Sequence, residues 1–354
     1  MSRFFSDKYK ALTPYTPGEQ PQDMQYVKLN TNESPFPPCE AVISAVAGAA
    51  GSLRLYPDPD CKALVNALAS VYGVSPAQIT VNNGSDETLD FAFMAYCDAD
   101  HPAVFPDITY GFYPVFAALN GIPYKEVPLK EDFSIDLETI MASDGAVFIA
   151  NPNAPTGIAL SLAEIEALLR SDPNRVVVVD EAYVDFGAES AVPLVNKYDN
   201  LLVVQTFSKS RSMAGGRLGF GIGSAELIKD LNTIKYSTNP YNINRVTAAA
   251  GIAALENEAY TRENCRKIME NRAFTVARLK KLGFACTDSR ANFIFASHPK
   301  IDGKYLYLEL KKRGVLIRHF EKARIANYNR ITVGSREQME IFLDKVKEIL
   351  EETL

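Results

Sequence analysis

Three short runs in the middle of the chain are almost wholly apolar: "GAVFIA" at 145–150, "RVVVVD" at 175–180 and "NLLVVQTF" at 200–207. A strand with one face in water alternates apolar and polar residues, so runs without alternation must be covered on both faces. Between the first two lies "SLAEIEALLRS" (161–171), whose apolar residues recur at helical spacing, and upstream "QITVNNG" (78–84) feeds the helical "ETLDFAFMAYC" (87–97). Strand and helix in alternation predict an α/β domain, a mostly parallel sheet flanked by helices.

That sheet uses only part of the 354 residues. Single cores stop growing at roughly 250–300 residues, so two domains are expected. Helical patterns run through Cys39–Ala50 and Lys62–Tyr72 after an arm rich in proline and polar residues. Past about residue 245 the texture changes to long helices at 258–283 and 336–354, with short strands around "NFIFA" (292–296) and "RITVG" (330–334). The expected division is an N-terminal arm with part of the small domain (1–35), a large domain (36–245) and a smaller α+β domain (246–354).

Several function classes start weak. With 47% hydrophobic and 23% charged residues the composition is that of an ordinary globular chain, and no apolar run approaches the ~18 residues that cross a bilayer. The first residues carry no apolar export core. The net charge of -6 is spread without like-charge blocks, which offers no grip on nucleic acid. Five scattered cysteines without a Cys-x-x-Cys pair read as reduced thiols, and three dispersed histidines suit neither a metal cluster nor a histidine-activated nucleophile. The expectation is a cytoplasmic protein that works on small molecules, with no metal, nucleic-acid or membrane partner.

Ligands of open α/β sheets gather beyond the carboxyl ends of the strands. Four such ends carry unusual groups. Gly84-Ser85-Asp86-Glu87 opens a helix, which makes it either a phosphate cradle or an ordinary N-cap. Asn151-Pro152-Asn153-Ala154-Pro155-Thr156-Gly157 is a fixed turn that names no ligand by itself. Asp180, ending "VVVV" with Tyr183 close behind, is either a structural cap or the partner of a cation such as a protonated ring nitrogen. Lys209 in "TFSKSRSMAGGRLGF" (206–220) follows Thr206 and Ser208 and precedes Arg217. Most lysines are simply solvated, yet one at a strand end can form a Schiff base. What joins the four is one ligand, pyridoxal phosphate. It has a phosphate for the helix start, hydroxyls and arginine, a ring nitrogen for Asp180, a phenolic oxygen for Tyr183 and an aldehyde for Lys209.

With "KLNTNESPFPP" (28–38), "YPDP" (56–59), "NNGSDE" (82–87), "PDITYGFY" (106–113), "DEAYVDF" (180–186), "TFSKS" and "RITVGSRE" (330–337) in view, the chain resembles the fold type I pyridoxal-phosphate aminotransferases. Within them it is similar to the branch that acts on a phosphorylated amino alcohol, histidinol phosphate, with 2-oxoglutarate as acceptor and glutamate as product. The resemblance implies roles for matching positions. Lys209 forms the imine with the cofactor and shuttles the substrate's α-proton. Asp180 pairs with the ring nitrogen, Tyr183 donates to the phenolic oxygen and Tyr110 stacks on the ring. The backbone of Ser85 and Asp86, with Thr206, Ser208 and Arg217, holds the phosphate. Tyr56 reaches the cofactor of a neighbouring subunit, which implies a homodimer. Arg318 and Arg330 clamp substrate anions, and Tyr15 and Asn32 lie beside the substrate.

The sequence departs from the family in one place. Relatives often carry asparagine immediately before Pro-Thr-Gly as a donor to the phenolic oxygen, and this chain has Ala154 there, with Asn153 adjacent. Other readings stay open on sequence: an aromatic amino-acid aminotransferase or a threonine-phosphate decarboxylase of the same fold, and a ligand-sensing aminotransferase-like module.

Overall fold

The structure, a computed structural model, describes residues 2–353. In chain order its strands are β1 (Val27–Lys28), β2 (Ile79–Asn82), β3 (Ala103–Pro106), β4 (Tyr124–Val127), β5 (Ala146–Ala150), β6 (Val177–Asp180), β7 (Leu201–Thr206), β8 (Gly219–Gly223), β9 (Ala285–Cys286), β10 (Phe293–Ser297), β11 (Val315–Leu316), β12 (Arg318–His319) and β13 (Tyr328–Thr332). The α-helices are α1 (Glu40–Ala50), α2 (Lys62–Tyr72), α3 (Ser85–Tyr96), α4 (Tyr113–Asn120), α5 (Leu137–Met141), α6 (Leu162–Ser171), α7 (Ala225–Thr238), α8 (Arg245–Glu256), α9 (Glu258–Lys281), α10 (Gly303–Lys312) and α11 (Arg336–Thr353).

Seven strands form the main sheet in the order β2-β8-β7-β6-β5-β3-β4. β8 runs antiparallel to both its neighbours, and the remaining pairs are parallel. Alternate residues of the apolar runs enter different cores. Val147, Ile149, Val177, Val179, Leu201 and Val203 pack on one face, while Phe148, Val178, Leu202 and Val204 pack on the other. This two-sided burial is the physical reason for runs without polar alternation.

Local signals start the flanking helices. Ser161 caps α6 by accepting from Glu164 N, and Glu164 returns the bond to Ser161 N at 2.7 Å, a capping box. Ile165, Leu168 and Leu169, spaced along one stripe of α6, are the residues it buries. α3 opens at Ser85, two residues before the span read from sequence, because Gly84 at φ +82° turns the chain sharply out of β2.

A second layer holds the antiparallel sheet β12-β13-β10-β9, with α9 and α11 packed into its apolar cluster. The N-terminal stretch joins this layer. β1 pairs with β11 in parallel, and Leu29 continues the pairing by donating to Leu316 O at 2.7 Å. α8 instead packs on α1 within the core of the main sheet. No helix among the described residues is long and apolar enough to cross a membrane.

Candidate active site

The ends of β2, β6 and β7, with the loop after β5, open onto one cavity of about 340 Å³. Ser85, Asp86, Tyr110, Asp180, Tyr183, Thr206, Ser208, Lys209 and Arg217 all line it, so nine of the residues singled out from sequence converge there. Ala154 also lines it, as do Thr31 and Glu33 from the segment after β1.

One wall is built to receive an oxyanion. No side chain caps α3, so the first N–H groups of the helix, at Ser85 and Asp86, have no intrahelical partner. β8 passes close beneath this turn: a Cβ at Gly219 would stand 2.2 Å from Ser85 N, so the approach requires glycine. On the other side Thr206 Oγ1 accepts from Ser208 N at 3.1 Å and lies 3.0 Å from Ser208 Oγ. Arg217, in the left-handed region at φ +50°, brings its guanidinium to Ser208 Oγ (3.4 Å) and to Asp86 Oδ2 (3.1 Å). Amide donors at a helix start, two hydroxyls and a guanidinium are a donor set for phosphate.

The opposite wall suits an aromatic cation. Asp180 ends β6, buried, and accepts from Ala182 N at 3.1 Å and from the Tyr113 hydroxyl at 3.3 Å. Burial pushes its carboxyl up to about 7, so a cation beside it is what keeps it ionised. Tyr110 donates to Asp86 Oδ1 at 2.7 Å, and its ring meets Tyr113 edge-on at 5.7 Å. Burial raises both phenols well above their ordinary value. Lys209 Nζ stands 3.3 Å from Thr31 O and 5.8 Å from the centre of the Tyr183 ring.

Ala154 places a methyl group where an amide could have entered, and Asn153 does not replace it. Its Oδ1 accepts from Thr109 Oγ1 at 2.8 Å, and its Nδ2 donates to Ile108 O at 2.9 Å and to Thr156 Oγ1 at 3.1 Å. Both ends of that side chain are engaged in holding the loop.

A second cavity of about 590 Å³ adjoins the first, with Tyr110 and Ala154 as shared walls. Tyr15, Arg318 and Arg330 line it. Arg330 is held between the rings of Phe293 (5.4 Å) and Phe320 (5.8 Å), donates to Asn30 O at 3.1 Å, and keeps a buried Nε without a partner. Burial lowers its pKa, so an anion in this cavity gains from meeting it. Arg318 donates to the carbonyls of Thr16 (3.2 Å) and Pro17 (3.3 Å), tying the N-terminal arm to β12. Tyr15 stacks on Phe112 at 4.2 Å.

Two of the residues singled out from sequence line neither cavity of this chain, and for Tyr56 the expected site was that of a neighbouring subunit. Asn32, anticipated beside the substrate, turns its amide onto Tyr183 and Thr332. Tyr56 lies outside both cavities, 77% exposed and stacked on Tyr241 at 4.8 Å. Sequence reasoning passed over Glu33 and Tyr113, although both lie within quoted stretches. Burial opposes ionisation of Glu33, but the bonds from Lys28 (2.6 Å) and Thr31 (2.9 Å) outweigh it and hold the carboxyl below its ordinary value.

Comparison with known proteins agrees with this geometry. A family model described as aminotransferase class I and II matches residues 24–346. The chain is 52% identical to a histidinol-phosphate aminotransferase of Marinomonas sp., covering 96% of this chain and 97% of that one. It is 48% identical to a histidinol-phosphate aminotransferase of Brachyspira hyodysenteriae, covering 99% of each. A crystal structure of histidinol-phosphate aminotransferase from Sinorhizobium meliloti in complex with pyridoxal-5'-phosphate superposes with a TM-score of 0.90 at 25% identity, over 100% of this chain and 99% of that one.

Proposed function

The chain belongs to the class I and II aminotransferases, and from that premise we propose that it moves an amino group from histidinol phosphate to 2-oxoglutarate, giving imidazole-acetol phosphate and glutamate, with pyridoxal phosphate as cofactor. The observation that carries the reading is the meeting of Lys209, Asp180, Tyr183 and Arg217 in one cavity that adjoins a second one containing Arg330 and Arg318.

When bound, pyridoxal phosphate supplies a carbonyl carbon for the amino group and a ring that withdraws electrons from the substrate's α-carbon. The protein supplies position and charge. Ser85 and Asp86 N–H, Thr206, Ser208 and Arg217 hold the phosphate. Asp180, kept from water, holds a proton on the ring nitrogen by its negative charge. Tyr110 would pack against the ring face, and Tyr183 would donate to the ring oxygen. Lys209 Nζ would hold the cofactor at its aldehyde carbon and, once displaced by the substrate's amino group, would carry the proton from the substrate's α-carbon to that cofactor carbon. Arg330 and Arg318 receive the substrate's phosphate in one half-reaction and the carboxylates of glutamate in the other, because a guanidinium fork fits either oxyanion.

The reading includes a cytoplasmic homodimer. Leu53 (60% exposed), Leu55 (47%) and Tyr56 (77%) form an open apolar stretch, which suits a second copy whose site Tyr56 would enter. The experiment is a glutamate-release assay with purified protein, 2-oxoglutarate and one amino donor at a time. Histidinol phosphate should support turnover where tyrosine and phenylalanine do not. Turnover with the aromatic amino acids alone, or release of carbon dioxide from threonine phosphate, would replace this reading.

A further inference from the structure

Asn32 is 1% exposed and adopts φ +56°, a left-handed conformation that asparagine tolerates better than most residues. The turn is clamped on three sides. Asn32 N donates to Thr332 Oγ1 at 2.9 Å, Thr332 Oγ1 lies 3.1 Å from Asn32 Oδ1, and Asn292 Nδ2 donates to Asn32 O at 2.9 Å. The amide's remaining end, Nδ2, is 3.0 Å from Tyr183 Oη.

Elementary proton accounting fixes the direction of these bonds. A backbone N–H can only donate, so Thr332 Oγ1 is an acceptor towards Asn32 N, and its own proton remains to be placed. Asn32 Oδ1 is the acceptor within reach of it. The reversed amide would leave the proton of the buried Thr332 hydroxyl without an acceptor. The amide therefore presents Nδ2 to Tyr183, and Tyr183 Oη accepts. A phenol carries one proton, so that of Tyr183 is released from Asn32 and free to point into the cavity the residue lines.

We propose that Asn32 is a positioning residue: by donating to Tyr183 Oη it commits the Tyr183 proton to the ring oxygen of the cofactor. The inference rests on the reading of this cavity as a pyridoxal-phosphate site. It has particular weight in this chain because the second donor is missing: Ala154 has no amide, and that of Asn153 is engaged with Ile108 and Thr156. Among the described residues the Tyr183 bond would then be the one side-chain donation to the ring oxygen, its direction set from behind by the Thr332–Asn32 pair. The charged and titratable groups around Tyr183 are Lys209 after β7, Asp180 on β6, Tyr110 in the turn before α4 and Tyr113 at its start, Arg330 on β13, and Glu33, Asp86 and Arg217 on the cavity wall. They form a common field in every comparison below.

The test uses substrate-free holoenzyme and reads the pH midpoint of the cofactor's visible absorbance transition, which reports loss of the proton on its linkage to Lys209. Asn32→Asp keeps the shape but can only accept, so it draws the Tyr183 proton away from the ring oxygen. The midpoint should rise by about one unit, a tenfold change in the proton equilibrium, because the deprotonated form loses its donor. The added carboxylate also acts by charge alone, and Tyr183→Phe separates the two effects. In that background the same Asn32 substitution should shift the midpoint by less than half as much. Asn32→Ala, which adds no charge, should move it in the same direction by a smaller amount and keeps the test available if the aspartate variant does not fold. An unshifted midpoint in Asn32→Asp and Asn32→Ala, or an equal shift with and without the Tyr183 hydroxyl, would overturn the inference. If wild-type protein mixed with pyridoxal phosphate showed no absorbance transition, the reading of the site itself would fall, and this inference with it.

Discussion

Replacing Asp180 with asparagine should make the cofactor-free protein more stable and weaken its hold on the cofactor, and the first effect should depend on pH in a calculable way. Burial pushes the Asp180 carboxyl up to about 7 from the usual 3.8. A group whose pKa is raised by folding contributes its full stability below the unfolded value and loses it as pH rises through the folded one. At about 1.36 kcal/mol per unit, the raised pKa of Asp180 costs the empty fold about 4 kcal/mol at pH 8, where the carboxyl is ionised in both states, and less than half of that at pH 5, where the folded carboxyl stays protonated and only the interval from 3.8 upward counts. Asparagine is the same size and can still meet Ala182 N and the Tyr113 hydroxyl. Urea unfolding of both cofactor-free proteins, at one protein concentration, should therefore favour Asp180→Asn by about 2–3 kcal/mol more at pH 8 than at pH 5. Glu181, raised to about 7 by its own burial, titrates alike in both proteins and cancels. Pyridoxal phosphate should narrow the difference at pH 8, since the variant lacks a charge-assisted bond of about 1.5–3 kcal/mol to the ring nitrogen. A stability difference independent of pH, or a less stable cofactor-free variant at pH 8, would refute the reasoning.

Arg330→Lys should lower kcat/KM about tenfold to a hundredfold with both histidinol phosphate and glutamate, because a point charge does not replace a planar fork between two rings. Unchanged steady-state kinetics with both would remove the clamp. Arg318→Ala should be less even between the two donors and should raise KM more than it lowers kcat, since Arg318 also ties down the carbonyls of Thr16 and Pro17. Equal loss of kcat with both donors would contradict this. Ala154→Asn should restore a donor to the ring oxygen and lower the pH midpoint of the visible transition by about one unit, about 1.4 kcal/mol. A midpoint that stayed or rose would mean the added amide does not reach that oxygen.

Much of this was readable beforehand where a residue's chemistry and its place coincide. The unbroken apolar runs became β5, β6 and β7 because burial on both faces leaves that signature, and the acid, hydroxyls and lysine at their ends followed from strand polarity. The omissions have physical reasons too. β8 holds three glycines, poor strand formers, and is a strand because its partners and the turn at Ser85 leave room only for glycine at Gly219. β4 is an edge strand with Tyr124, Lys125 and Glu126 exposed, so it lacks an apolar pattern. Asn32 belonged to a quoted motif, but the direction of its amide depends on Thr332, 300 residues away. Whether Asn153 could stand in for the absent amide was likewise undecidable until its partners Thr109, Ile108 and Thr156 were in place.

The central claim is that Lys209 carries the cofactor, and chemical capture tests it without any assay of turnover. Holoenzyme prepared with pyridoxal phosphate is reduced with borohydride, which makes the carbon–nitrogen linkage permanent, then digested and mapped by mass spectrometry. The account predicts the reduced cofactor's mass on the peptide containing Lys209, loss of that peptide's label in Lys209→Ala, and loss of transamination in the same variant. Label on another lysine in the wild type, or transamination that survives in Lys209→Ala, would contradict it.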